Sequence, residues 1–580
     1  MSPKLHILIC LISLFCCESH GWLHDGVFTR LHPNIVVRRS VICVNQSAHS
    51  VSIANPHACD TRQAAHAAIK VAVNHTGWSY LEVVTDPKFD DITQAYAAGA
   101  AEAAVSHDLI AMHIKNTYYF DCIRPKKELQ PYCTRLGAFL NDNWKFMLDQ
   151  FERNPDDAYW KQVQLILYQL SGMEDAFMQL KVSPGEIRPM KVQLNSHAML
   201  LLLQLGGDLM DLEQALGKPA HLWKRQTGYG ACSVLIKPTK HFRDLYFAHD
   251  TWTSYQSMLR IAKLYNFNYH GVPARSISLS GYPGTLPSID DFYLTSAGLA
   301  VTETTIGNSN ADLWTHVKPN TVLTWIRVQV ATRTATDARM WAHTFARFNS
   351  GTYNNQWMVV DYKQFAPGRN FSNQHHLFWV LEQIPGAIHM QDMTQYLARK
   401  GYWPSYNVPY FPGIFNQSGC WDNVKKYGDW FTYDKAPRAQ IFQRDSLKIN
   451  SMKSLMKIMR YNDYKHDPLS RCNCTPPFSG ENAIAARSDL NPANGTYPFP
   501  SLAHRNHGAT DMKATNAKIM KRLRFVGISS PTYDQQPAFK WSTADFGPTT
   551  PHYGHPDEWK FPPILIKWSE EHLNMRENID

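Results

Sequence analysis

Apolar side chains recur along this 580-residue chain at two spacings, and the change from one to the other falls near residue 232. Over 90–115, 135–151, 157–180 and 191–205 they return every three or four positions, the stripe of a helix with one buried face. The alanine-rich run 60–73 reads as helix too, and 78–84 as a strand between helices. Before these, 22–60 reads as strands and loops, with β-prone runs at 35–37 and 40–44. The first 200 or so residues after the leader are therefore expected to be mostly helical. Beyond 232 the apolar runs shorten. Residues 232–236 and 245–249 read as two strands joined by the polar connection 237–244, and 251–264 as a helix. Further β-rich runs lie at 276–279, 292–295, 299–304, 357–362 and 377–382, with one strong helix at 335–348. From 462 onward, proline, glycine and asparagine predict an irregular tail wrapped over the surface. No repeat or low-complexity linker divides the chain. The reading is α+β, compatible with two sheets between helix layers.

A hydrophobic content of 44% with only 18% charged residues excludes a disordered chain. The net charge of +9 is modest, and no lysine- or arginine-rich cluster marks a nucleic-acid footprint, so no nucleic-acid partner is expected. The 26 histidines would make the surface much more cationic near pH 5, which favours peripheral contact with an anionic membrane surface. Lys4, the apolar run 5–17 and the small-residue exit 19–21 read as a signal peptide over 1–21. That run is too short to span a bilayer, the run 198–205 is shorter, and no transmembrane helix is expected. Sequons at Asn45, Asn74, Asn370, Asn416, Asn473 and Asn494 fit a chain that passes through the secretory pathway. Of 11 cysteines, Cys10, Cys16 and Cys17 leave with the leader, and eight remain. If Cys232 is a free nucleophile, at least one of the other seven is also free. Cys122 with Cys133 would make a local loop staple, and a Cys472–Cys474 bond would close a very tight ring.

The candidate chemistry centres on Gly228-Tyr-Gly-Ala-Cys232-Ser-Val-Leu-Ile236, followed by Phe247-Ala-His249-Asp-Thr-Trp252. Small, flexible residues lead into a thiol that opens a buried strand, and the hairpin returns His249 and Trp252 towards it. A lone cysteine opening an apolar run is ordinarily a core residue. Other sites fare worse. There is no G-x-S-x-G elbow, P-loop or dinucleotide fingerprint. His375-His376 and His552-x-x-His555 lack an accompanying H-E-x-x-H or C-x-x-C site and read as surface histidines. No metal and no cofactor are expected.

Longer words carry more. Cys232-Ser-Val-Leu-Ile-Lys and Ala248-His-Asp-Thr-Trp-Thr-Ser-Tyr-Gln-Ser-Met-Leu-Arg260 resemble the phospholipase B-like family, to which the lamina ancestor protein belongs. So do Asn349-Ser-Gly-Thr-Tyr-Asn-Asn-Gln-Trp-Met358, Pro404-Ser-Tyr-Asn-Val-Pro409 and Gly480-Glu-Asn-Ala-Ile-Ala-Ala-Arg-Ser-Asp-Leu-Asn-Pro492. The resemblance implies a lysosomal or secreted glycoprotein with the four-layer αββα sandwich of N-terminal nucleophile hydrolases. It also implies a local disulfide in the Cys122/Cys133 and Cys472/Cys474 regions. On this reading the chain is cut between Ala231 and Cys232. The helix-rich fragment 22–231 and the fragment 232–580 then stay associated as one globular unit. Cys232 becomes nucleophile and its new α-amine the base, since that amine has a reference pKa of about 7.7–8.0. His249 orients the thiol or polarises substrate, Trp252 and Asn355 shape the pocket, and Asn407 and Arg438 are candidate oxyanion donors. The expected reaction is removal of acyl chains from glycerophospholipids through an acyl-cysteine. The alternatives are an N-acyl amide hydrolase of the same fold and a non-catalytic glycoprotein that binds lipid or a partner. A protonated His249 near pH 5 is expected to donate to the departing amine and speed cleavage in acid.

Overall fold

The computed structural model describes residues 35–45, 50–54, 59, 62–117, 122, 125–180, 199–223 and 232–569. The leader, the approach Gly228–Ala231 to the expected cut, and the run 181–198 lie outside them. Among the described residues two large sheets organise the chain. The larger runs, edge to edge, through Ala387–Asp392, Phe378–Ile384, Asn355–Asp361, Leu299–Thr305, Phe292–Thr295 and Ser276–Gly281. It continues through Arg260–Asn266, Trp78–Thr85, Arg62–Val71, Val36–Asn45 and Ser50–Ala54. The smaller runs through Trp403–Ser405, Cys232–Pro238, Leu245–Thr253, Met512–Asn516, Phe525–Ile528 and Ile564–Ile566, with Gly508–Ala509 also paired to Leu245–Thr253.

Alternate residues of each strand enter different cores, as a period of two requires. Leu299 and Val301 pack with the helix-side cluster, whereas Ala300 joins a cluster that draws on both sheets. On the smaller sheet Val234, Ile236 and Phe247 enter that same shared cluster. Leu235, Tyr246 and Ala248 instead pack with Ile441 and Phe442 of the helix Pro437–Asp445 and Leu455 and Met459 of the helix Met452–Met459. Behind the larger sheet, the helices Asp91–Thr117 and Ala158–Phe177 cross at two glycines. A β-carbon on Gly99 would lie 1.8 Å from the Gln169 carbonyl oxygen, and one on Gly172 would lie 1.9 Å from that of Tyr96. Main chain cannot yield as a flexible side chain can. Gly99→Ala should therefore lower unfolding free energy by about 3 kcal/mol, the upper end of ordinary overpacking, despite alanine's better helix propensity. Denaturant titration checks this; an unchanged midpoint would refute the close crossing.

The expected helices 90–115, 135–151 and 157–180 correspond to Asp91–Thr117, Gln130–Arg153 and Ala158–Phe177. Of the expected helix 191–205, the described part is Met199–Gln204. Three readings need correction. The run 60–73 is not a helix but the strand Arg62–Val71, hydrogen-bonded between Val36–Asn45 and Trp78–Thr85. Its alanines let an equally alanine-rich helix lie close on the sheet, so packing overrides propensity. The run 251–264 is likewise the end of Leu245–Thr253, a single turn, and the strand Arg260–Asn266. Ile261 and Tyr265 go to one core and Ala262 and Leu264 to the other, a strand's alternation that the Met-Leu-Ile spacing concealed. Finally, the tail is not merely irregular surface wrapping: Met512–Asn516, Phe525–Ile528 and Ile564–Ile566 belong to the smaller sheet. No helix among the described residues is long and apolar enough to cross a membrane.

Candidate active site

Cys232 is the first residue of its strand and lies directly across from Thr251, with Val234 across from His249. Opposed residues of an antiparallel pair share a face, so the thiol and the imidazole point the same way. Lys513, paired with His249 on the next strand, joins them. The larger sheet contributes Glu303. Its Oε1 lies 3.8 Å from the Cys232 Sγ, and ligand atoms of Cys232, His249 and Glu303 all fall within 4.8 Å of one another. All three residues are buried. Beside them Arg260, Lys513, Asp290 and Asp511 form a fully buried cluster of two cations and two carboxylates. The Lys513 Nζ donates to Asp511 Oδ2 at 2.8 Å and to Asp290 Oδ2 at 3.0 Å, and Asp511 Oδ1 also accepts from the Thr251 amide at 2.9 Å.

Burial sets the protonation of this group. It pushes the Cys232 thiol well above its ordinary value, with Glu303 adding to the effect. It also pushes the Glu303 carboxyl well above the carboxylate range, with Asp291 adding. His249 moves the other way: burial, then Lys513 and Arg260, hold it well below its usual value, with the Glu303 main chain opposing them. Neither ring nitrogen of His249 makes a hydrogen bond of good geometry. Burial and the neighbouring cations therefore favour the neutral imidazole of His249, which works against the imidazolium donor expected from the sequence. Glu303 thus keeps its proton above the ordinary carboxylate range.

The other expected residues divide. Asn407, at φ 70°, accepts from the Cys232 amide through Oδ1 at 3.5 Å, while its Nδ2 donates to the Thr305 carbonyl at 2.8 Å. Its amide donor is thus engaged, and what it offers the thiol residue is an acceptor for the amine. Arg438 donates from Nη1 to the Cys232 carbonyl at 2.6 Å, and its guanidinium lies 4.3 Å from the Trp252 ring centroid. Trp252 is buried on the opposite face from the thiol, its Nε1 donating to Asp250 Oδ1 at 3.2 Å. It is a wall behind Arg438. Asn355 is buried opposite Thr305, and neither atom of its amide has a partner. Lys513, Asp290, Asp511, Arg260 and Glu303 went unread in the sequence. A lysine flanked by Thr510-Asp511-Met512 gives no local sign that it will be buried; only sheet pairing places it.

A cavity of about 520 Å³ reaches the two residues that hold the Cys232 main chain, although Cys232, His249 and Glu303 do not themselves line it. Asn407 and Arg438 form part of its wall, with Trp223, Trp314, Tyr406, Trp430, Phe431 and Lys426 around them. The lining mixes these aromatic rings with polar residues, the cations Lys426 and Arg438 and the carboxylate of Glu481, and suits a ligand with an apolar part and a polar head. Cys420 also lines it. Its thiol, 3.2 Å from the Ser418 Oγ, is pushed by burial to about 11. Cys232 and Cys420 are the free cysteines among the described residues, as the pairing argument required. Disulfides join Cys43 to Cys59, Cys122 to Cys133 and Cys472 to Cys474. The side chains of Asn74, Asn370, Asn416, Asn473 and Asn494 are exposed; that of Asn45 lies outside the described set. His375 and His376 are exposed as expected, but the His555 ring is not, being packed between Trp541 and Trp559 and held by burial down to about 3.

Glu382, on the strand Phe378–Ile384, is a further buried carboxyl, pushed up to about 7 by burial against hydrogen bonds from Tyr410, Gln356 and Phe411. His389 faces it across the strand pair, and Tyr410, Tyr433 and Cys420 lie within its field. The folded protein holds a proton here between about pH 4.5 and 7, where the unfolded chain has lost it, so stability from this group falls as pH rises through that window. Relative to Glu382→Gln, the wild type should lose roughly 3 kcal/mol across it. Denaturant titrations of both proteins at the two ends of the window check the sign.

A thiol at a strand's first residue, an imidazole and a carboxyl thus meet between the two sheets of an α+β protein. The profile of the phospholipase B family matches residues 65–566. The chain belongs to that family. It is 48% identical to phospholipase B-like 2 of Homo sapiens over 510 residues, which cover 86% of this chain and 84% of the relative. It is 45% identical to phospholipase B-like 1 of Caenorhabditis elegans over 503 residues, 86% of each chain. With phospholipase B-like protein B of Dictyostelium discoideum the identity is 37% over 497 residues, 84% of this chain and 82% of the relative. Family membership supports a phospholipase-like hydrolase that acts on ester bonds.

Proposed function

We propose that this protein is a lysosomal or secreted hydrolase that removes acyl chains from glycerophospholipids through an acyl-cysteine at Cys232. The observation that carries this reading is the convergence of Cys232, His249 and Glu303 within 4.8 Å, beside a cavity walled by the two residues that hold the Cys232 main chain. The partition of apolar residues into helix-side and shared cores supports the αββα architecture of N-terminal nucleophile hydrolases. In the precursor, the Cys232 Sγ attacks the Ala231 carbonyl and its proton passes to the neutral His249 imidazole. The C–N bond of that peptide breaks, the nitrogen takes a proton, and water releases the Ala231 carboxylate from the thioester. In the mature protein the α-amine, held by the Asn407 Oδ1, takes the thiol proton as Sγ attacks the substrate ester. The alcohol leaves with that proton, and water then hydrolyses the thioester to free acid and thiol. Asn355, whose buried amide lacks a partner, is a better oxyanion donor than Asn407, whose Nδ2 is taken.

The fragments 22–231 and 232–580 remain together after the cut, because the clusters that join them persist when one peptide bond is broken. Mature protein is expected to yield two N-termini, one of them Cys232, while migrating as one species under native conditions. N-terminal sequencing and native gel filtration check this. Processed protein given a panel of glycerophospholipids and N-acyl amides then separates ester from amide specificity. A full-length protein that hydrolyses esters without a cut would overturn the cleavage.

A further inference from the structure

We infer that Cys232, His249 and Glu303 form a site for one zinc-like divalent cation, and that occupancy silences the thiol. The sequence showed no metal motif: Cys232 and His249 share one hairpin, but Glu303 comes from the other sheet and meets them only where the two sheets face each other. Their donor atoms fall within 4.8 Å of one another, with Sγ and Oε1 at 3.8 Å. Tetrahedral zinc, with bonds of about 2.0–2.3 Å, holds neighbouring donors about 3.3–3.7 Å apart. Side-chain shifts of about 1 Å would close the triangle. Thiolate, imidazole and carboxylate are each zinc donors, whereas calcium and magnesium favour sets made of oxygen alone.

A second observation points to a ligand. His249 is wholly buried, yet neither ring nitrogen makes a hydrogen bond of good geometry. Buried polar groups left this way are destabilising, and a coordinated cation gives one nitrogen its partner. Charge balances as well. Binding displaces one proton from Sγ and one from the Glu303 carboxyl, and the two resulting anions neutralise the divalent cation. The adjacent Arg260 and Lys513 already face Asp290 and Asp511, two against two, so the added ion meets no unpaired charge there. Asn407 and Arg438, both bonded to the Cys232 main chain, also line the cavity and so lie between it and the three donors.

Three protein ligands leave one tetrahedral position. If the chain is cut before Cys232, the new α-amine lies on the same residue as Sγ and fills that position in a short chelate ring. This last point rests on the proposed cleavage; the three-donor site does not. With its lone pair committed to the metal, Sγ no longer attacks a carbonyl, so zinc acts as a reversible brake on the proposed chemistry.

The test uses purified full-length protein stripped with a chelator and titrated with Co²⁺, then with Zn²⁺. One bound cobalt per chain is expected, with a near-ultraviolet thiolate-to-cobalt absorption that Zn²⁺ abolishes. Cys232→Ala should lose the absorption, and Cys420→Ser should keep it. His249→Gln and Glu303→Gln should each weaken binding by at least about tenfold. Far-ultraviolet circular dichroism verifies that each variant folds, and two glutamine variants guard against the failure of one. Absence of the thiolate absorption, or its persistence in Cys232→Ala, would overturn the site. These readouts need no substrate, so they stand or fall apart from the hydrolase reading. Ester hydrolysis that proceeds undiminished at full zinc occupancy would overturn the silencing.

Discussion

Cys232→Ala is expected to leave the chain uncut and to lower ester hydrolysis by about 10,000-fold or more, the loss seen when a nucleophile that works as part of a unit is removed. No neighbour substitutes for it. The Ser233 Oγ points to the other face and donates to the Ile484 carbonyl at 2.8 Å, and Cys420 sits on the cavity wall with its proton held tightly. Cys232→Ser should keep a slow version of both reactions, because a hydroxyl is the weaker nucleophile. The measurements are N-terminal sequencing of the purified protein and hydrolysis rates at saturating substrate. Normal cutting in Cys232→Ala would take the thiol out of maturation, and normal hydrolysis would take it out of catalysis.

Lys513→Met should cost roughly 3–5 kcal/mol of stability, the loss that follows removal of one partner from a buried ion cluster. It leaves Asp290 and Asp511 with Arg260 alone, all of them fully buried. The charge, rather than the packing, is the reason, and a second substitution separates the two. Adding Asp511→Asn removes the surplus anion while keeping an oxygen for the Thr251 amide, which Asp511 Oδ1 now accepts at 2.9 Å. The double variant should regain most of the lost stability. Denaturant unfolding of the wild type, single and double variants reads this directly. A single variant within about 0.5 kcal/mol of wild type, the range of ordinary surface changes, would show that the cluster contributes nothing net.

Part of this protein could be read without its structure. The thiol's place at the start of a strand, and the hairpin that brings His249 back, follow from residues close in sequence, where local alternation and a polar turn determine the geometry. The long helices carry their own evidence for the same reason, since one buried face repeats every turn. Tertiary structure decided what local pattern could not. Whether the alanines of Arg62–Val71 make a helix or a strand depends on the strands either side, which supply hydrogen-bond partners for both edges. The Arg260–Asn266 strand is the same case, with cores on both faces hiding its alternation. The site shows it most plainly. Glu303, Arg260, Asp290, Asp511 and Lys513 look like ordinary solvated polar residues in the sequence. They become buried only because two sheets close over them; Arg260, Lys513, Asp290 and Asp511 then pair with one another, and removing water is what raises Glu303 and the thiol beside it.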